Sequence, residues 1–321
     1  MTMARNYRVV YIPKRSGNGR RRIAIPDRAL KAVLRTYVPG YNEIALVADS
    51  EGVMHGFMPH RSAVTNALVH VGFQWTVTFD LRDFFDTVTR QMLSPTILAP
   101  DECYVEGALA QGLPTSPPLA NIAASPLDKA IVARQRVYRN NVNFVYTRYA
   151  DDLTFSTNSR DVVQMLLLEI PRLVLEHGFE VNDRKTRVQW AGAGQRIITG
   201  VAVGPGGIHP TRQVKRKIRA ARHQLGHLSR GETLESKYVR TKSIELRRQW
   251  GLKGISPLEL VSRSLRGLEE WSSLKRPHKE IVPPRQAKVG QPPKDTTTLA
   301  PGQAVQDHVI KPHHRPSSPD S

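Results

Sequence analysis

Two adjacent aspartates, Asp151 and Asp152, stand between two runs that read as β-strands, residues 144–149 and 153–156. Both runs are rich in aromatic and β-branched residues, which suggests a hairpin with the acids at its tip. Neighbouring carboxylates repel, and a half-buried pair is costly unless a cation shares the site. A third acid, Asp80, follows Val77-Thr78-Phe79 within a strand-like segment at 75–81. Oxygen ligands from two or three aspartates suit Mg2+, which keeps waters and phosphate oxygens in its shell. Two such ions, about 3.5–4 Å apart, can activate an attacking hydroxyl and stabilise a leaving phosphate oxygen. Mn2+ is the natural substitute on such ligands.

These acids sit in a basic chain. Across 321 residues, 47 Lys and Arg against 28 Asp and Glu leave a formal charge of +19. A surplus of this size points to a polyanion, nucleic acid before an anionic membrane surface. The single cysteine, Cys103, excludes an intrachain disulfide framework and argues against a cysteine-based zinc site. No apolar run reaches the roughly 18 residues of a membrane span, and the first residues lack the apolar stretch of a secretory signal. A reducing cytoplasm is the expected setting. Residues 276–321 hold nine of the 23 prolines and no Phe, Trp or Tyr. Such a segment cannot bury enough apolar surface to offset its ordering entropy, so a disordered basic tail is expected there.

Elsewhere, Tyr7–Pro13 is β-rich, Ser16-Gly17-Asn18-Gly19 is turn chemistry, and residues 20–25 return as a second strand. Pro26-Asp27 stops that strand and caps a helix with Leu30, Val33 and Leu34 on one face. A helix is predicted over 162–177, and one strand over 196–203, ending at Gly204-Pro205-Gly206-Gly207. This mixture predicts an α+β fold rather than a doubly wound sheet. Within 213–225, Val214, Ile218, Ala221 and Leu225 recur at helical spacing as an apolar face. Lys215, Arg219 and Arg222 form a basic face beside it, suited to sequence-independent phosphate contact.

Three strings add a family likeness. Tyr149-Ala150-Asp151-Asp152 resembles the YxDD box of reverse transcriptases, and Asp80-Leu81-Arg82-Asp83-Phe84-Phe85 resembles their first catalytic motif. Gln111-Gly112-Leu113-Pro114-Thr115-Ser116-Pro117 with Asn121 resembles their QGxPTSPxLxN motif. The resemblance extends over residues 7–273 and implies a right-hand polymerase. Fingers would take 1–75, with 95–125 shared between fingers and palm. The palm, with a small antiparallel sheet, would take 76–207, and a short helical thumb 208–275. It implies RNA-templated DNA synthesis from deoxynucleoside triphosphates, with Asp80, Asp151 and Asp152 as the catalytic, metal-holding triad, Asp80 and Asp151 foremost. Phe85 falls at the steric-gate position, where a ring under the sugar rejects a 2′-OH. Phe84 reads as core, and Asp83 and Asp86 as capping or surface acids. Gln111 would lie against the incoming nucleotide, with Gly112 letting the backbone approach it. Lys14 and Arg21 match the basic fingers positions that hold a triphosphate, which leaves Arg15, Arg20 and Arg22 as solvated charges. Lys185 matches a later palm motif, where protonation of pyrophosphate and support of the palm are both open to it.

Asn66-Ala67-Leu68-Val69-His70 resembles the NAxxH element of retron reverse transcriptases, Ile198-Thr199-Gly200 approximates their VTG triplet, and residues 263–271 resemble the closing thumb helix. Asn66 and His70 are accordingly expected on nucleic acid, with a core position open to His70. Departures are Ile198 for the usual Val, Ala110 for a frequent Pro, and a nearly absent N-terminal helical extension; no maturase, endonuclease or RNase H region is expected. By this resemblance the template is a cognate structured noncoding RNA, primed from its own 2′-OH, and the product is an RNA–DNA molecule. An antiphage role with an effector protein is implied as well, and no membrane partner. A group II intron-like or diversity-generating reverse transcriptase is the nearest rival. A catalytically idle RNA-binding protein is the other, against which the intact acids and Gln111 argue. A nucleotide cyclase shares a related palm, but its Gly-Gly-acid-acid-Phe box does not occur.

Overall fold

Asp27 sets the first boundary of the chain. It ends an antiparallel hairpin of β1 (Tyr7–Pro13) and β2 (Arg20–Pro26), in which Tyr7 lies opposite Pro26 and Pro13 opposite Arg20. Its carboxylate then accepts the Leu30 N–H at 2.7 Å and caps α1 (Arg28–Ala48). The structure, a computed structural model, describes residues 6–14, 19–137 and 143–230, together with 259, 262, 265, 266 and 269. The turn at Ser16-Gly17-Asn18, most of 263–271 and the tail at 276–321 lie outside the described residues. Leu30 and Leu34 are buried as predicted, but Val33 is 54% exposed. It stands about 100° round the helix from Leu34, off the docked face that Tyr41 and Ala45 continue.

The chain then runs through α2 (Ala63–Leu68), β3 (Trp75–Asp80), the single turn α3 (Phe84–Thr87), and the tiny hairpin β4 (Tyr104–Val105) and β5 (Ala108–Leu109). It continues through α4 (Ser116–Val137), β6 (Phe144–Tyr149), β7 (Asp152–Thr157), α5 (Arg160–Glu176) and β8 (Arg187–Trp190). It closes with β9 (Arg196–Ile198), β10 (Val201–Gly204), β11 (Gly207–His209) and α6 (Arg212–Ser229). The fold is α+β, as predicted. No described helix is long and apolar enough to cross a membrane.

The central sheet is antiparallel throughout, in the order β6-β7-β3-β8. Strand alternation gives it two unlike faces. One carries Val77, Phe79, Leu153, Phe155, Phe144 and Tyr146 into the main core, beside Val162, Leu166 and Ile170 of α5. The other is lined by hydroxyls. There the His70 ring meets Ser156 Oγ at 2.9 Å and Thr147 Oγ1 at 2.7 Å. Arg196 donates to Thr76 Oγ1 at 2.7 Å and to the His70 carbonyl at 2.8 Å. Burial, with Arg196 beside it, pushes the His70 pKa down to about 3, so the ring stays neutral.

The predicted strand over 196–203 is two strands. β9 and β10 pair Ile198 with Val201 across Thr199 and Gly200, whose φ values are 46° and 82°. Two consecutive left-handed residues make the tight turn that suits the twist of a hairpin. Together with β11, the two strands cover α2 with a second cluster of Ala67, Ile198, Val201, Val203 and Ile208.

Arg148 points into the apolar face, and its side chain is wholly buried. Its Nε and Nη2 donate to the two Asp128 oxygens at 2.9 and 2.7 Å, and Nη1 donates to Asn121 Oδ1 at 2.9 Å. The Tyr146 hydroxyl donates to Asp128 at 2.7 Å. Removing one partner of a buried pair strands the other charge away from water. Arg148→Met should therefore lower stability in urea unfolding by about 3–5 kcal/mol. The same change at Arg136, whose pair with Glu51 is exposed, should cost less than about 1 kcal/mol. Equal losses would show that burial does not govern the difference.

Candidate active site

Strand register brings the acids together. Asp80, the last residue of β3, lies opposite Asp152, the first of β7. Ala150 and Asp151 form the connection from β6, and Ala150 takes a left-handed φ of 57°. The Asp151 carbonyl accepts the Leu81 N–H at 2.8 Å, which fixes the turn against the end of β3. Asp80 is buried, and Lys185 Nζ donates to both its carboxylate oxygens, at 2.7 and 2.9 Å. Asp80 and Asp152 line a cleft of about 390 Å³ with Tyr149, Lys185, Arg187 and Thr199.

The electrostatics call for a cation. Burial raises the Asp151 pKa, and Asp80 raises it further. Burial, then Asp151 and Asp80, push Asp152 up to about 7. Among the described residues no three acidic, His or Cys side chains converge as a ready-made metal cage. The Lys185 ammonium instead sits on Asp80. Asp151 and Asp152, whose ionisation burial opposes, thus stand beside a third carboxylate that already holds a cation, and hard oxygen donors of this kind suit a divalent cation.

Of the predicted nucleotide-binding residues, Lys185 sits on Asp80, and the others lie on or against the first hairpin and α3. Lys14 Nζ donates to Asp83 Oδ1 at 2.9 Å, and Asp83 makes no side-chain cap bond to α3. Arg21 is exposed, and its charge reaches Asp151, lowering that pKa against the larger effects that raise it. Arg22 is not a solvated charge: its side chain is 16% exposed, donates to Asp86 Oδ1 at 2.7 Å and pairs with Glu106. It ties β2 to α3 and to the β4–β5 turn, and leaves Asp86 partly exposed. Phe84 is core, as predicted, while Phe85 is half-buried with its ring 5.5 Å from Phe84 and 6.0 Å from Phe57. The Gln111 carbonyl accepts the Ala24 N–H at 2.8 Å. Gly112 has φ +104°, and a Cβ there would lie 2.3 Å from the Ala24 carbonyl oxygen. The backbone that approaches Gly112 so closely is β2 itself.

Asn66, expected on nucleic acid, is corrected, and His70 takes the core position left open to it: both are fully buried. Asn66 Nδ2 reaches Thr199 Oγ1 at 3.4 Å, and His70 bridges β6 and β7, so the element joins α2 to the sheet and to the β9–β10 turn. On α6, Ile218 and Ala221 are buried against Leu265, with Val214 and Leu225 packed beside them. Lys215 and Arg219 are exposed as predicted. Arg222 donates to Glu269 at 2.8 Å, so it helps hold the helix as well as lying on its basic face.

Sequence reasoning missed Arg148 and Asp128, Arg196, and the loop from Met54 to Arg61. Arg148 carried a signal: it shares strand parity with Phe144 and Tyr146 and so belongs to a buried face.

An antiparallel sheet with one acid ending its central strand and two at the adjoining turn is the palm of a nucleic-acid polymerase. Residues 12–215 match the family model described as reverse transcriptase (RNA-dependent DNA polymerase), and the chain belongs to that family. The retron Mx65 reverse transcriptase of Myxococcus xanthus is 35% identical over 252 residues, 68% of this chain and 56% of that protein. The retron Mx162 reverse transcriptase of the same organism is 36% identical over 271 residues, 70% of this chain and 54% of that protein. The retron Ec86 reverse transcriptase of Escherichia coli is 31% identical over 247 residues, 73% of each chain. The family membership is thus of retron type, although this chain spans only about half the length of the two Myxococcus relatives.

The raised pKa of Asp152 makes stability depend on pH. Between 3.8, the ordinary aspartate value, and about 7, the folded chain holds a proton that the unfolded chain has released. Stability without metal should therefore fall as pH rises from about 4 to about 7. Asp152→Asn should flatten that slope. Thermal melts in chelator across this range would check it, and parallel curves for the two proteins would show that Asp152 titrates normally.

Proposed function

We propose that this chain is an RNA-directed DNA polymerase that copies a structured RNA into single-stranded DNA. The observation that carries the reading is the pairing of Asp80 with Asp152 across β3 and β7, with Asp151 on the adjoining turn and a cleft in front. Family membership supports it. Asp80, Asp151 and Asp152 would hold Mg2+, which when bound supplies positive charge to the attacking and leaving oxygens of an in-line displacement. The chain's own groups do the rest. Lys14 exchanges Asp83 for the triphosphate, and Arg21 joins it. Phe85 lies under the sugar and excludes a 2′-OH, while Gln111 borders the nucleotide. The primer hydroxyl oxygen bonds to the α-phosphorus as the bond to pyrophosphate breaks, and Lys185 can give the departing pyrophosphate a proton. Lys215 and Arg219 hold the duplex backbone without reading sequence.

The domain division follows: fingers at 1–75 with part of 95–125, palm at 76–207, thumb at 208–275. By analogy with the retron relatives, the template is a cognate noncoding RNA primed from its own 2′-OH, and the enzyme works in the cytoplasm in antiphage defence with an effector protein.

Asp151→Asn should reduce primer extension on an RNA template by at least about a thousandfold, the scale of a lost charge-stabilising group, while RNA binding persists. Full extension in Mg2+ would overturn the reading. Phe85→Val should raise ribonucleotide incorporation relative to deoxynucleotide. An unchanged ratio would make Phe85 a packing residue.

A further inference from the structure

Behind the catalytic turn runs a loop that the proposed chemistry does not use. The His55 N–H donates to the Arg148 carbonyl at 2.7 Å, and Asn121 Nδ2 donates to the Gly56 carbonyl at 2.9 Å. A Cβ on Gly56 would lie 2.3 Å from the Ala150 nitrogen, so the loop presses directly on the turn that carries Asp151. Its other end is anchored by Arg61, which donates to the buried Asp49 carboxylate at 2.6 Å. Asp49 also accepts the Val53 and Met54 N–H groups, at 2.9 and 3.1 Å.

From this rigid mount projects Phe57. It is 45% exposed, its backbone is left-handed at φ 60°, and its ring lies 6.0 Å from that of Phe85. A bulky L-residue is strained in that region, and such strain persists only where the surrounding structure imposes it. A packing role would bury the ring. Here the fold holds a large apolar face half in water, beside the catalytic turn, in a chain of charge +19.

We propose that Phe57 is the platform on which an unpaired base of the template strand stacks. An aromatic face accepts any base, as a general copying enzyme requires, and the chain's net positive charge draws a nucleic-acid strand to the molecule. The template base is favoured over the incoming one because Phe85 already takes the sugar of the nucleotide, whose base is held by pairing. The template base must arrive unpaired. This inference rests on the reverse transcriptase reading.

The test uses the full chain and a DNA primer on RNA template whose first unpaired base is 2-aminopurine, with a blunt hybrid as control. Phe57→Gly relieves the backbone strain, so its melting temperature should equal or exceed that of the wild type. Its affinity for the overhanging substrate should fall roughly tenfold, the scale of one lost base stack. Affinity for the blunt hybrid and KM for deoxynucleotide at saturating template should stay the same. Wild type and Phe57→Trp should quench the 2-aminopurine, and Phe57→Gly should not. Unchanged affinity and quenching, an equal loss on the blunt hybrid, or an effect confined to nucleotide KM would each overturn the assignment. Wild-type extension in the same tubes tests the enzyme reading separately.

Discussion

A positive charge held wholly away from water organises the turn that carries Asp151 and Asp152. Arg148 lies three residues before Asp151 and makes no contact with solvent. Its guanidinium joins Asp128 and Asn121 of α4 to the strand that leads into the turn. The Ala150 carbonyl completes the set, 3.3 Å from Nη1. A fork of fixed donors suits this task better than a flexible ammonium, because each hydrogen bond also fixes an angle. Asn121 in turn holds the loop at Gly56, so one network of hydrogen bonds joins α4, the turn and the loop.

The two faces of the sheet divide the work of stability and placement. The aromatic face joins the main core, where packing is non-directional apart from the buried Arg148 network. The hydroxyl face is directional: hydrogen bonds join His70 to Ser156, Ser156 to Thr76 and Arg196 Nη1 to Thr76, leaving Arg196 Nε buried without a partner, and these bonds set where α2 and β9 can sit. Such a layer tolerates a wrong partner poorly, because an unpaired buried polar group carries its full desolvation cost. The β9–β10 turn reaches the cleft beside Asp152 at a fixed position for this reason.

What could be read from the sequence was what is local. The hairpin at Asp151 and Asp152, the Asp27 cap and the apolar face of α6 follow from alternation, capping chemistry and helical spacing within a few residues. The break in the strand at 196–203 was hidden, because Thr199-Gly200 interrupts an otherwise apolar run without the stronger Asn-Gly signal. The polar core was hidden for another reason. Asn66 meets Thr199 at a separation of 133 residues, and Arg22 meets Asp86 at 64. A charged or amide side chain declares itself buried only when its partner is known, so NAxxH read as a contact with nucleic acid and Arg22 as a surface charge. Asp151 and Asp152 escaped this difficulty because repulsion between neighbours marks them even without partners, and Asp80 because it ends an apolar strand within a family motif.

The ammonium of Lys185 on Asp80 has a consequence for the order in which the molecule is assembled. Carboxylates gathered at one cleft resist being brought together, and a chain that relied on a metal to overcome this would fold only where the metal is plentiful. Here the counter-charge is part of the polypeptide. The cleft can therefore close on its own acids with no metal present, and any cation that enters must compete with an ammonium already seated on Asp80.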